Sequence, residues 1–290
     1  MSDFTQVFRD DFEGSSLDRG TWKALYSGQY GNGMFRWDPG QVEVGDGKLT
    51  IATERDGGSW VSGGLSTIPD GQTYGSYEFS ARIDPGQGTA AAILLWPSDG
   101  QWTDEVDIVE THDPQRNSFA FSKHGDPNVT EYIDVNVADW HTYRLDWTPN
   151  ELKLYVDGQE KATMTGDIPA QPMSFSMQGQ VMAPHETWFG GGPDGSTPGR
   201  VEVEVDWVKV SAWTPGAGTE PAAAAEPAFE PASAGAAAPD DFWLAAAARY
   251  VENDGEWEGS WRNQVADGQI SLEDVAGWLQ AGLGQTELWQ

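Results

Sequence analysis

The 290-residue chain contains no cysteine. Disulfides, thiolate metal sites and cysteine nucleophiles are thereby excluded, although the compartment stays open. Basic residues are scarce: 16 Lys and Arg stand against 46 Asp and Glu, a formal charge of −30. So acidic a protein is repelled by nucleic acid and by anionic membrane surfaces, and neither is an expected partner. Surface solvation accounts for most of these carboxylates. Long apolar runs are missing too: the longest, "AAAILLW", falls far short of the ~20 residues that cross a bilayer, so membrane insertion is not expected. The start, "MSDFTQVFRDDFEG", carries acids early and lacks the apolar core of a Sec signal peptide. The expectation is a soluble chain that is either cytoplasmic or exported by a route leaving the N-terminus uncleaved.

What is present is turn-forming and aromatic: 35 Gly, 17 Pro and 15 Trp, a mix that favours short strands over helices. From Phe4 to about Trp213 no convincing helix-period segment appears. "QVEVGDGKLTIATE" alternates on both sides of Gly45-Asp46-Gly47, a hairpin signature. "YGSYEFSARID", "WHTYRLDWTP" and "RVEVEVDWVKVSAW" continue the alternation. The fold class expected is all-β, an antiparallel sandwich or jelly roll, over residues 1–214. An Ala/Pro/Glu-rich linker follows over 215–239. Residues 240–290 then read as a small helical C-terminal extension, with helix-start signals at Asp240-Asp241 and Ser271. Between its two helices, "NQVADGQISLED" has the outline of a calcium loop, but Val265 and Asp274 stand where a ligand oxygen and a bidentate Glu are usual. A plain inter-helix turn is the preferred reading.

One stretch is irregular. In "WTDEVDIVE", Glu105 and Asp107 share one face of a regular strand, whereas Glu110, five residues beyond Glu105, falls on the other. "VEVEVDWV" (201–208) serves as a comparison: Glu202, Glu204 and Asp206 alternate in phase with Val201, Val203 and Val205, as in an ordinary half-buried strand. A single β-bulge after Asp107 would return Glu110 to the Glu105 face, and bulges are enriched beside active sites. Trp96 and Trp102 bracket the turn just before the acids, and aromatic faces pack against sugar rings as readily as they fill cores. "FSKHGD" follows after a turn, so a hairpin return brings His124 to the same face. Two carboxyls with a third between them suit glycoside hydrolysis, where retention of configuration needs the pair about 5–5.5 Å apart. The middle acid separates its neighbours' protonation states.

"DEVDIVE" resembles the E-x-D-x-x-E signature of glycoside hydrolase family 16. "YGNGMFRWDPGQVEVGDGKLTI", "GGLSTIPDGQTYGSYEFSARI", "WHTYRLDWTPNELKLYVDG" and "VDWVKV" follow in that family's order, over roughly residues 8 to 213. The resemblance implies a curved, concanavalin-like β-sandwich with a cleft on its concave face. It implies Glu105 as nucleophile, Asp107 as its hydrogen-bonding neighbour and Glu110 as acid/base. Asn32, Phe35, Trp96, Trp102, His124, Gln178 and Trp188 would bind substrate, and His141 would be structural. No cofactor is implied for the chemistry, but a structural calcium near Glu13, Gly47 and Asp206 is, with Asp206 as a mere solvent-facing acid the equal alternative. Gly64, in "SGGLST", departs from the family pattern, since many members carry there an Arg that holds a sugar at a remote subsite.

The function expected is retaining endo-hydrolysis of a β-linked polysaccharide, most simply β-1,3 or mixed-linkage β-1,3-1,4-glucan, by a monomer. Alternatives are a succinoglycan-type exopolysaccharide depolymerase or an agar- or carrageenan-type hydrolase, which the shortage of Arg and Lys disfavours, and a non-catalytic carbohydrate-binding protein, which retention of all three acids disfavours. The C-terminal extension is similar to an appended export address, which implies an extracellular enzyme of type I-like secretion, although the glycine-rich calcium repeats of that route are absent; an attachment module is the other reading.

Overall fold

The computed structural model describes residues 3–30, 33–67, 71–98 and 104–215. The linker and helical extension expected beyond residue 215 lie outside them, as does the calcium-like loop. Among the described residues the strands build two sheets. The eleven-stranded sheet runs β16 (Gln159–Thr165), β15 (Glu151–Val156), β14 (His141–Trp147), β9 (Gly75–Ile83), β18 (Arg200–Trp213) and β6 (Lys48–Asp56). It continues through β7 (Ser59–Ser62), β4 (Phe35–Trp37) and β3 (Gly28–Gln29), with β1 (Phe4–Asp10) beside β18 and β5 (Val42–Gly45) beside β6. The seven-stranded sheet runs β13 (Val129–Ile133), β12 (Phe119–Lys123), β11 (Val106–Glu110), β10 (Thr89–Pro97), β17 (Met173–Val181), β8 (Gly64–Ser66) and β2 (Ala24–Leu25). Pairing is antiparallel except between β4 and β7.

Period-two patterning decides which way each strand faces. On β9, Tyr77, Phe79, Ala81 and Ile83 enter the core; on β10, Ala91, Ile93 and Leu95 meet them from the other sheet. Each such aliphatic or aromatic side chain, once enclosed, stabilises the fold by ~1.5–3 kcal/mol over leaving it in water. The hairpin expected around Gly45-Asp46-Gly47 is present: Gly45 pairs with Lys48, and Asp46 and Gly47 have φ of 53° and 72°. Two consecutive positive φ values define the turn whose twist suits adjacent strands, and Asp-Gly supplies them at least cost.

The bulge on β11 is present. Ile93 opposes Val109 and Leu94 opposes Asp107, which leaves Ile108 without a counterpart on β10. On the other side, Asp107 opposes Ser122 and Glu110 opposes Ala120, two residues against one. The comparison strand requires a correction. β18 is not regular through Val208: its register with β9 shifts between Val205 and Trp207, so Asp206 is itself a bulged residue. Val203, Val205, Val208 and Val210 all reach the core because of that extra step.

Nor is Glu204 a solvated acid. It is 3% exposed and pairs with both Lys48 and Arg82. Burial alone would raise its pKa, but the two cations overcome this and hold it below the ordinary glutamate value. A carboxylate so depressed stabilises the fold above its unfolded-state pKa, and that contribution is lost as pH falls through the folded value. Glu204→Gln should cost about 1–2 kcal/mol at pH 7, the lower figure reflecting the partial exposure of both cations. In thermal melts, the gap between variant and parent should close as pH falls below about 4.

Candidate active site

Because cross-strand partners share a face, the pairings lay out rows across the seven-stranded sheet. Glu110 opposes Ala92, Ala92 opposes Gln178, and Gln178 opposes Gly64. One step along, Asp107 opposes Leu94, Leu94 opposes Ser176, and Ser176 opposes Ser66. These rows floor a cleft on the side of the sheet away from the core, where Ala92, Leu94 and Trp96 alternate with the inward Ala91, Ile93 and Leu95. The small side chain of Ala92 leaves room above the floor beside Glu110. The hairpin return brings β12 back beside β11: the His124 amide donates to the Glu105 carbonyl at 2.9 Å, and His124 Nε2 lies 2.7 Å from Asp107 Oδ2. Beyond Glu110 the chain is tied down by Arg116, which is buried and donates to the carbonyls of Asp84, Thr89 and Asp113.

Glu105 and Glu110 are half-buried and reach the cleft, while Asp107 is buried between them. Burial pushes the Glu105 carboxyl well above the ordinary glutamate range, aided by the charges of Asp107 and Glu110 and by a hydrogen bond with Asp107. Glu110 is raised by burial and then by Asp107. Three carboxyls this close cannot all ionise near neutrality, so protons are retained among them. One acid can then donate a proton while another attacks as an anion. Carboxylate and imidazole atoms of Glu105, Asp107 and His124 also lie within 4.8 Å of one another, close enough for a small cation, but here these groups are bonded to each other.

Of the expected substrate residues, Trp96, His124 and Gln178 line the cleft with the three acids. Two others are not among its lining residues. Phe35 is not at the surface: it is 2% exposed, stacked on Tyr30 at 4.6 Å and edge-on to Trp37. It is Tyr30 and Trp37 that face the cleft. Trp188 donates its indole N–H to the Tyr132 hydroxyl, and its neighbour Phe189, packed edge-on against it at 4.6 Å, lines the cleft instead. Asn32 and Trp102 lie outside the described residues. His141 bonds Asp157 and the Asn136 carbonyl and does not line the cleft. Tyr26, Gln180 and Glu186 also line the cleft and were not anticipated. Gln180 was within reach, since it stands two residues from Gln178 on the same strand face. Tyr26 and Glu186 carry no sequence signal, because loop and edge-strand placement puts them there.

The model of glycosyl hydrolases family 16 matches residues 30–209. The chain belongs to glycoside hydrolase family 16. An endo-1,3-1,4-beta-glycanase of Rhizobium meliloti, EglC, is 28% identical over 71% of this chain and 51% of its own length. A beta-glucanase of Bacillus subtilis is 33% identical over 48% of this chain and 59% of its own. The chain thus spans only half to three-fifths of these two relatives. The laminarinase from Rhodothermus marinus superposes with a TM-score of 0.64 at 25% identity, covering 72% of this chain and 98% of that one. This family 16 cleft makes an electrostatic prediction. In carbon-13 NMR of labelled carboxyl groups, Glu105 and Glu110 should titrate above the surface glutamates, and Asp107→Asn should move both downward; unchanged midpoints would refute the coupling.

Proposed function

We propose that the protein is a retaining endo-β-glucanase cutting β-1,3 or mixed-linkage β-1,3-1,4-glucan. The observation that carries this reading is the bulge at Ile108–Val109, which sets three carboxyls on one face at the floor of a cleft walled by Tyr26, Tyr30, Trp37, Trp96 and Phe189. Glu105 attacks the anomeric carbon while Glu110 protonates the departing glycosidic oxygen. Glu110, now a carboxylate, takes a proton from water as its oxygen opens the glycosyl ester, so that two inversions give net retention. Asp107, hydrogen-bonded to Glu105 and to His124, holds the attacking residue in place. The raised pKa of Glu110 keeps it protonated near neutrality, as a general acid must be.

A neutral substrate is supported by the lining: among the described residues it contains four carboxyls and neither Lys nor Arg. Sulfated or carboxylated chains would be repelled, which disfavours the carrageenan and succinoglycan alternatives. The names of the relatives (beta-glucanase, 1,3-1,4-beta-glycanase, laminarinase) agree with a glucan. Such polymers are met outside cells, so we place the enzyme there, acting as a monomer, with residues 240–290 appended to a catalytic unit of 1–214.

We also propose a structural calcium at Glu13, Gly47 and Asp206. Two carboxylates and a backbone carbonyl are the oxygen donors a hard cation takes. Register supports the reading: Asp10, three residues before Glu13, opposes Val208, and Leu49, two after Gly47, opposes Val205, on either side of the bulged Asp206.

Glu105→Gln should abolish turnover while leaving polymer binding intact. Proton NMR of early hydrolysis of laminarin or lichenan should show the β-anomer first; initial α-anomer would refute double displacement. For calcium, chelation should lower the melting temperature of the parent and leave Asp206→Asn unmoved; equal responses would remove the site.

A further inference from the structure

Gly64 closes the row that begins at Glu110, and opposite Gln178 any side chain it carried would project into the cleft. A Cβ placed there collides with the ring of Tyr26, whose Cε2 would be 2.9 Å and Cγ 3.1 Å away. The ring therefore occupies the volume of the missing side chain. Its seat is fixed from three directions. The Tyr26 amide donates to the Gly64 carbonyl at 2.9 Å, continuing the pairing of β2 with β8. The ring meets Trp37 edge-on at 5.2 Å and 77°. Its hydroxyl lies close to Ser66 and Ser176, both buried in the row that begins at Asp107. An aromatic ring laid across a cross-strand glycine is a recurrent way of covering bare backbone in sheets. Here the covered spot faces a cleft.

We infer that Tyr26 and Gly64 act as one specificity-determining unit, presenting a fixed aromatic face to the apolar side of an uncharged pyranose in the substrate. Gly64 lies three strands from β11, or ~14 Å at the usual strand spacing, so the sugar received is not the one attacked. Stacking on a ring selects for a pyranose with axial hydrogens on one face and carries no preference for negative charge. A cation at position 64 would do the reverse, and the tyrosine leaves it no room. This inference rests on the glucanase reading and names the sugar that the same cleft holds remotely.

The test measures binding of a β-1,3-linked glucopentaose by calorimetry in the Glu105→Gln background, beside steady-state kinetics of the corresponding active enzymes. Tyr26→Ala should weaken binding about tenfold and raise KM on laminarin with kcat little changed. Gly64→Ala, by displacing the ring, should do the same, and the two combined should lose no more than either alone. Tyr26→Phe, which keeps the ring, should stay within about twofold of the parent. Unchanged affinity in Tyr26→Ala, or full additivity of the pair, overturns the inference. If Tyr26→Ala does not fold, Tyr26→Leu is read in its place. Should the parent cleave no β-glucan at all, it is the glucanase reading that fails; should it cleave while Tyr26 variants bind normally, only this inference does.

Discussion

At Ile108 and Val109 two consecutive residues must bury on the same side of the sheet, and the site depends on how the chain manages it. A regular strand would send one of them to the cleft and turn Glu110 into the core. Burying an unpaired carboxylate costs several kcal/mol even after relaxation, whereas enclosing both Ile108 and Val109, each fully buried here, gains ~1.5–3 kcal/mol apiece. The two-against-one pairing with β10 and β12 resolves the conflict. It sends the apolar pair inward and the three acids outward. The geometry that brings Glu110 beside Asp107 is thus enforced by packing, and the same rows that carry the acids run on through Ala92, Gln178 and Gly64.

This is why the acidic stretch was legible from its residue types alone: only a bulge satisfies both halves of the pattern. The comparison strand shows the limit of that inference. Val201–Val208 was in phase as far as Asp206, yet β18 bulges there too, with Asp206 left outside and Val208 returned to the core. An irregular step is therefore not in itself a mark of catalysis. What distinguishes β11 is the side on which the extra residue lies. Its surplus residue is apolar and enters the core, so the surrounding acids are gathered on one face; on β18 the surplus is a single exposed acid.

The sandwich and its hairpins were legible because strand alternation and Asp-Gly turns act over a few residues. The cleft walls were less so. Phe35 and Tyr30 differ only in which lies beneath the other, and that order is set by β4, a three-residue strand paired in parallel with β7. Trp188 and Phe189 exchange roles through one turn ending at Gly190, whose φ is 85°. Tyr26 follows an edge strand of two residues. Short edge elements carry little periodic signal, so their placement emerges only from tertiary pairing.

Charge is also partitioned in a way that composition hides. Arg9, Arg36, Lys48, Arg82, Arg144, Lys153, Arg200 and Lys209 each pair with a nearby carboxylate, and every one of them lies on a strand of the eleven-stranded sheet. Among the described residues, none lines the cleft. Several acids of the eleven-stranded sheet are thus paired with a cation, whereas Glu105, Asp107 and Glu110 crowd one another beside His124. The pKa values of Glu105 and Glu110 rise first through burial and then through the neighbouring carboxylates, and an Arg in the cleft would pull both down toward the ordinary range. A cleft walled by aromatic rings rather than cations leaves Glu105 and Glu110 raised, as the proposed proton donation requires.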